Sequence, residues 1–310
     1  MSQPTKILLQ TTIPHIDDDW HIGRFSLLGN FLAGLTDADG TPLFEVTSRD
    51  RVPPPLSDPV MSTLDSSDYD ELWLFAVDTG HGITEADCEG VSRFRARGGG
   101  MIVTRDHSDL GCSVCNLGGV GFAHYFHSVN PEPDASRRRR DDRSPEIEWP
   151  NYHSGANGDY QQIRAAEPTH PLLSGFVRYL PAHPHEGAVG PPATDETARV
   201  IATSTSSISG VDFNVAVVFE PSDAGGPAVA ESSFHHFADY NWDPALGAPS
   251  FVTERPGNSF LTFPEARRST ERYVQNLALW LAGRSPEDEA RRADRQLYRE
   301  FPRRPLKATA

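Results

Sequence analysis

Short apolar runs alternate with helix-length segments along the first hundred or so residues, and this alternation restricts the fold more than any other feature of the chain. Lys6 to Thr12 reads as a buried strand, and Leu43 to Thr47, Glu71 to Val77 and Met101 to Thr104 as further strands. Phe25 to Leu35 and Thr84 to Arg97 read as helices, the second with Thr84 as its N-cap. Strands joined through helix-length segments imply right-handed crossovers and a parallel sheet. Further strands are predicted at Arg199 to Thr203, Asn214 to Phe219 and Ala228 to Phe234, with Ser222 to Pro227 turning between the last two as an antiparallel hairpin. Tyr273, Leu277, Trp280 and Leu281 share one face of a helix over Ala266 to Ala282 that stops at Gly283. The predicted class is α/β with a mostly parallel central sheet.

A chain of 310 residues suits one large domain carrying insertions. That domain is expected over residues 1–284. Within it, Ser128 to Tyr160 loses all periodicity and reads as an insertion outside the core. Residues 285–310 are expected to form a charged helix and tail, with Ser285 as N-cap and Pro286 at the first position, a reasonable arm for a homo-oligomer. The net charge of −15 speaks against nucleic acid and anionic membrane as partners, since both require a basic surface. The run Arg137 to Arg140 is answered at once by Asp141 and Asp142, and reads as a solvated loop. No stretch approaches the roughly 18 apolar residues of a membrane span, and the apolar run near the N-terminus is too short for a signal-peptide core. A cytoplasmic location is expected. The odd set Cys88, Cys112 and Cys115 does not suggest a disulfide framework.

Ligands of open α/β sheets bind beyond the carboxyl ends of the strands, and there this chain concentrates its ionisable side chains. The first strand is followed by His15, Asp17, Asp18, Asp19 and His21, and the third by Asp78, Gly80 and His81. The fourth runs into Arg105, Asp106 and His107, and the run from Ala228 into His235, His236 and Asp239. Any one of these groups is ordinary as a loop histidine or a capping aspartate; their recurrence at four strand ends points to a site. A separate cluster, PAHPHEG, places His183 and His185 two residues apart with Glu186 beside them. In extended backbone both imidazoles point one way, a ligand set that Zn²⁺ or a similar divalent metal can use, although an exposed Pro-rich loop explains it equally well. Cys112 and Cys115 with His124 and His127 have spacings too short for a zinc finger, and the cysteines read better as small packing residues. No nucleotide cofactor is indicated.

Three segments taken together, TRDHSDLG (Thr104 to Gly111), PAHPHEG (Pro181 to Gly187) and SSFHHFADYNW (Ser232 to Trp242), resemble the ThuA-like, or trehalose-utilisation, family. The resemblance runs from about Lys6 to Gly283, and HPLLSGF (His170 to Phe176) fits it. It implies a flavodoxin-like three-layer sandwich similar to class I glutamine amidotransferases. Those enzymes need a cysteine in a strained elbow after the fourth strand and a histidine to activate it. Here Asp106 and His107 occupy the elbow, and Cys112 lies too far along. Amidotransferase chemistry is therefore not expected, because a shared fold does not carry a shared reaction.

The resemblance implies an enzyme of carbohydrate metabolism with a sugar-like ligand. Asp106, His107, His235, His236 and Asp239 are the candidate acid/base groups, with His183, His185 and Glu186 as candidate metal ligands. Trp20, His21, His81, Arg105, Asn241 and Trp242 are the candidate substrate contacts; Trp20, Phe234, Tyr240 and Trp242 can stack on a sugar ring or simply pack. Two other readings stay open. One is a non-catalytic ligand-binding protein that retains the fold, and the other a hydrolase using Ser108 with His235 or His236.

Overall fold

The computed structural model describes residues 3–286, apart from 38, 118, 139 and 141–145. The predicted helix and tail from 285 onward therefore lie outside the described residues beyond position 286. In chain order the elements are β1 (Thr5–Thr11), α1 (Ser26–Ala33), β2 (Phe44–Arg49), β3 (Glu71–Phe75), α2 (Glu85–Ala96), β4 (Gly100–Val103) and β5 (His124–Tyr125). There follow β6 (Tyr160–Gln162), β7 (Arg164–Ala165), β8 (Tyr179–Pro181), β9 (Ala188–Val189), β10 (Ala198–Thr205), β11 (Asp212–Phe219) and β12 (Ala228–Glu231). Three helices complete the set: α3 (Asp239–Trp242), α4 (Ser259–Thr262) and α5 (Pro264–Leu281).

The main sheet runs β2-β1-β3-β4-β12-β11-β10-β7. Its first five strands are mutually parallel, and β11, β10 and β7 continue it antiparallel. The parallel part has the flavodoxin-like 2-1-3-4-5 order, with β12 in fifth place. The predicted hairpin is present as β11 and β12, but it is not appended to the parallel sheet: β12 is itself the last parallel strand, so its C-terminal end lies beside that of β4.

Side chains alternate between two cores, which accounts for the three layers. Ile7 and Leu9 of β1, and Trp73 and Phe75 of β3, pack on one face with α1 and α5. Leu8, Leu72 and Leu74 pack on the other with α2 and the turn of 3₁₀ helix Cys112–Leu117. Strands buried on both sides read as continuous apolar runs, the signal the sequence carries. Thr84 closes a capping box with Asp87 at the start of α2, and α5 ends at Gly283 with φ +68°, a backbone region that glycine tolerates best.

Part of the segment read as an insertion outside the core is buried. Asn151, Tyr152, His153 and Asn157 are each at most 4% exposed, because Tyr152 and Glu186 exchange backbone hydrogen bonds and β6 pairs with β8. Among the described residues, no helix is long and apolar enough to cross a membrane.

Candidate metal centre

Immediately after β4 the chain buries Arg105 completely. Its guanidinium donates to the carbonyls of Asp106, Tyr125, Ser108 and Ala188, and its cation lies 4.0 Å over the ring of Phe126. Burial lowers its pKa to about 9, which still leaves it charged at neutral pH. Gly187 permits this arrangement, since a Cβ there would stand 2.3 Å from the Arg105 Nε. Arg105, expected to contact substrate, is instead an internal brace that ties the β4 exit to the paired strands β5 and β9.

The brace holds Asp106 at the floor of a cavity of about 450 Å³. Oδ1 of Asp106 accepts the backbone N–H of His107 at 2.7 Å and its Nδ1–H at 3.1 Å. Burial pushes the carboxyl up, but His107 and His183 together outweigh it and hold the group well below the usual carboxylate range. Nε2 of His183 stands 3.2 Å from Oδ1, and Nε2 of His235 stands 3.8 Å from Oδ2. The two rings are stacked, with centroids 3.5 Å apart.

Hydrogen-bond bookkeeping fixes the tautomers of both imidazoles. The amide of Asn241 donates at 2.9 Å to the carbonyl of Ala182, which can only accept, so its Oδ1 faces Nδ1 of His235 at 2.8 Å. Its other N–H donates to Oδ1 of Asn157 at 2.8 Å, and that oxygen in turn faces Nδ1 of His183 at 3.0 Å. Both histidines therefore carry a proton on Nδ1. Burial and the adjacent His235 ring keep His183 well below the ordinary imidazole range despite Asp106, so its Nε2 presents a bare lone pair to a carboxylate. Nε2 of His183 and Oδ1 of Asp106, 3.2 Å apart, are spaced to share a proton or to hold a metal ion between them. A tetrahedral metal with ligands at about 2.05 Å spaces them by about 3.3 Å, close to the distances seen. The ligand atoms of Asp106, His107 and His183 all lie within 4.8 Å of one another. Fixing an imidazole through its second nitrogen is the usual outer support of a metal-binding histidine.

The cavity walls divide by polarity. Trp20, Phe234 and Phe251 supply apolar surface, with Trp20 edge-on to His235 at 4.8 Å, whereas His107, His185 and Glu254 form a polar side. His185 donates from Nε2 to Glu254 at 2.7 Å, and its ring lies 4.9 Å from that of His107. Burial lowers its pKa against the pull of Glu254.

The predicted ligand set His183, His185 and Glu186 is not brought together as one. A turn at His185 breaks the alternation of extended backbone: His183 meets Asp106, His185 meets Glu254, and Glu186 points into the protein. There Glu186 accepts from Ser154 at 2.9 Å, Gln161 at 2.5 Å, Ser232 at 2.8 Å and His236 at 3.2 Å. His236 is fully buried between Glu186 and Glu231, which also accepts from the Tyr273 hydroxyl. Its neighbour His235 faces the cavity; His236 does not.

The other candidates lie elsewhere. Asp239 accepts from the backbone N–H groups of Ser26 and Leu27 and from the Ser26 hydroxyl, so it caps α1. Asp239→Ala is expected to lower stability by about 1–2 kcal/mol in urea denaturation. Trp242 is 1% exposed and donates to the His236 carbonyl. His21 caps the short helix Ile22–Phe25 and packs against His15, His81 is exposed, and Tyr240 is buried; none of them lines the cavity. Ser108 has φ +48° but donates to the Glu148 carbonyl at 2.7 Å, so its hydroxyl is not directed at His235. Cys115 is a buried packing residue whose thiol burial pushes up to about 12, and His124 bonds the Val103 carbonyl. Asn157 and Glu254 were not anticipated. Both lie in aperiodic loops, where only folding brings them to the cavity.

No protein-family model and no curated protein matches the sequence. Among solved structures the chain is similar to a ThuA-like protein of Bacteroides uniformis, at 12% identity over 87% of this chain and 93% of that one, with a TM-score of 0.43. A ThuA-like protein of Parabacteroides merdae aligns at 13% identity over 83% and 96%, with a TM-score of 0.39. The glutaminase domain of Trypanosoma brucei CTPS with bound acivicin aligns at 14% identity over 90% and 94%, with a TM-score of 0.44. The fold assignment stands on the strand order itself.

Proposed function

We propose that the protein is a metal-assisted enzyme acting on a sugar or sugar derivative, with Asp106, His183 and His235 holding a divalent cation such as Zn²⁺. The observation that carries this reading is the bare Nε2 of His183 set 3.2 Å from a buried carboxylate, with Asn157 and Asn241 fixing both imidazoles in the ligating tautomer. A bound cation would activate water or polarise a substrate oxygen. His107 holds Asp106 through Nδ1 and, being only partly buried, is placed to exchange a proton with substrate from its other nitrogen. Trp20, Phe234 and Phe251 offer an apolar wall for the ring face of a small polyhydroxylated molecule, and the cavity volume is of the size that small ligands occupy. The carbohydrate class is the one that the three sequence motifs suggest.

Elemental analysis of the purified protein tests the centre. About one equivalent of metal is expected in the parent protein, lost in both His183→Ala and His235→Ala and retained in His107→Ala. No metal in the parent, even after incubation with Zn²⁺ or Mn²⁺, would end the metal-assisted reading.

A further inference from the structure

The segment HPLLSGF ends in an unusual place. Gly175 and Phe176 both have positive φ, +73° and +67°, and Phe176 is 83% exposed. An aromatic residue in the left-handed region is uncommon, and this one spends its ring on solvent. It stands at the edge of a cavity of about 440 Å³ lined also by Arg178, Arg268 and Arg272.

The arginines are held in place by their scaffold. Ser269 on α5 accepts the backbone N–H groups of Arg178 and Tyr179 at 2.8 and 2.7 Å and donates to the Tyr179 carbonyl at 2.8 Å, which ties the loop to the helix. Arg272 packs on Gly175, where a Cβ would stand 3.3 Å from its Cδ. Glu265, the acid lining this cavity, pairs with Arg268 at 2.9 Å, and nearby Glu271 pairs with Arg267 at 2.8 Å. Among the described residues, neither Arg178 nor Arg272 has a carboxylate partner. Arg178 instead lies 5.8 Å over the Phe176 ring. In a chain of net charge −15, two arginines without a carboxylate partner thus line one concavity. Their planar forks match a tetrahedral oxyanion.

We propose that this cavity is an anion site for a phosphate monoester, with Arg178 and Arg272 on the phosphate and the apolar part of the ester against Phe176. It is separate from the metal centre and does not depend on it. The test is titration of the full chain with inorganic phosphate and with phenyl phosphate, followed by calorimetry at constant ionic strength with chelator present. Saturable 1:1 binding is expected. Arg178→Ala and Arg272→Ala should each weaken both probes roughly tenfold or more. Phe176→Ala should weaken phenyl phosphate by roughly 2–10-fold and leave inorganic phosphate unchanged. Binding should persist in His183→Ala, and thermal melts check that each variant is folded. Non-saturating binding, or wild-type affinity in both folded arginine variants, overturns the proposal.

Discussion

Replacing His236 by alanine is expected to lower the free energy of unfolding by about 3–5 kcal/mol, the usual cost of removing one partner from a buried ionic cluster. Glu186, Glu231 and His236 are all 0% exposed, and the imidazole lies 3.2 Å from one carboxylate and 3.1 Å from the other. Without it the two carboxylates have lost their only buried cation among the described residues of the cluster. Burial opposes the charged imidazole, yet Glu186 and Glu231 outweigh it and raise its pKa to about 10. Since an unfolded histidine titrates near 6.5, the folded state binds this proton more tightly than the unfolded one. The stabilisation is therefore complete below pH 6.5 and is lost as pH rises through about 10. Urea denaturation of the parent between pH 6 and 10 should show this decline, and His236→Phe should flatten it. A loss below about 1 kcal/mol in His236→Ala at pH 6, or a parent stability that does not change over that range, would remove the charged cluster from the account.

The second large effect concerns the proposed metal centre. Asn157→Ala is expected to weaken divalent metal binding by about 10–100-fold although Asn157 is not a ligand, because it frees the Nδ1 side of His183 and with it the tautomer. Asp106→Asn should weaken it further, since it removes the only carboxylate between the two imidazoles. Both are read from competition with a chromogenic chelator at neutral pH. The pH dependence separates a ligand role from a packing role. His183 is held well below the ordinary imidazole range by burial and by His235, so its Nε2 needs no proton removed at pH 7. The His183 contribution to metal affinity should accordingly stay level as pH falls toward 6.5 and drop only in more acidic solution. Unchanged affinity in folded Asn157→Ala would show that the amides do not govern the tautomers.

What was legible in the sequence was whatever depends on period. Strands buried on both faces print as apolar runs, and the four parallel strands from β1 to β4, α2 with its Thr84 cap and α5 with its glycine stop lie within a few residues of their predicted bounds. The concentration of ionisable groups past β4 and β12 was legible too, because strand ends can be read without knowing strand order. The fate of individual side chains was not. His235 and His236 are adjacent and look equivalent, yet one backbone step turns the first to the cavity and buries the second between two glutamates. His183 and His185 look like a pair in extended chain, but the turn at His185 sends them to different carboxylates. Asn157 sits in a stretch with no periodicity at all, and its part appears only when β6 pairs with β8.

The contacts that define the centre span long stretches of chain: 77 residues between Asp106 and His183, and 84 between Asn157 and Asn241. No short peptide cut from this protein contains the centre, and no single motif search can recognise it elsewhere. Grafting it onto another scaffold would mean transplanting the exits of two neighbouring parallel strands together with the loop that crosses them. The centre is assembled by the tertiary fold from residues far apart in sequence, and no one segment carries it.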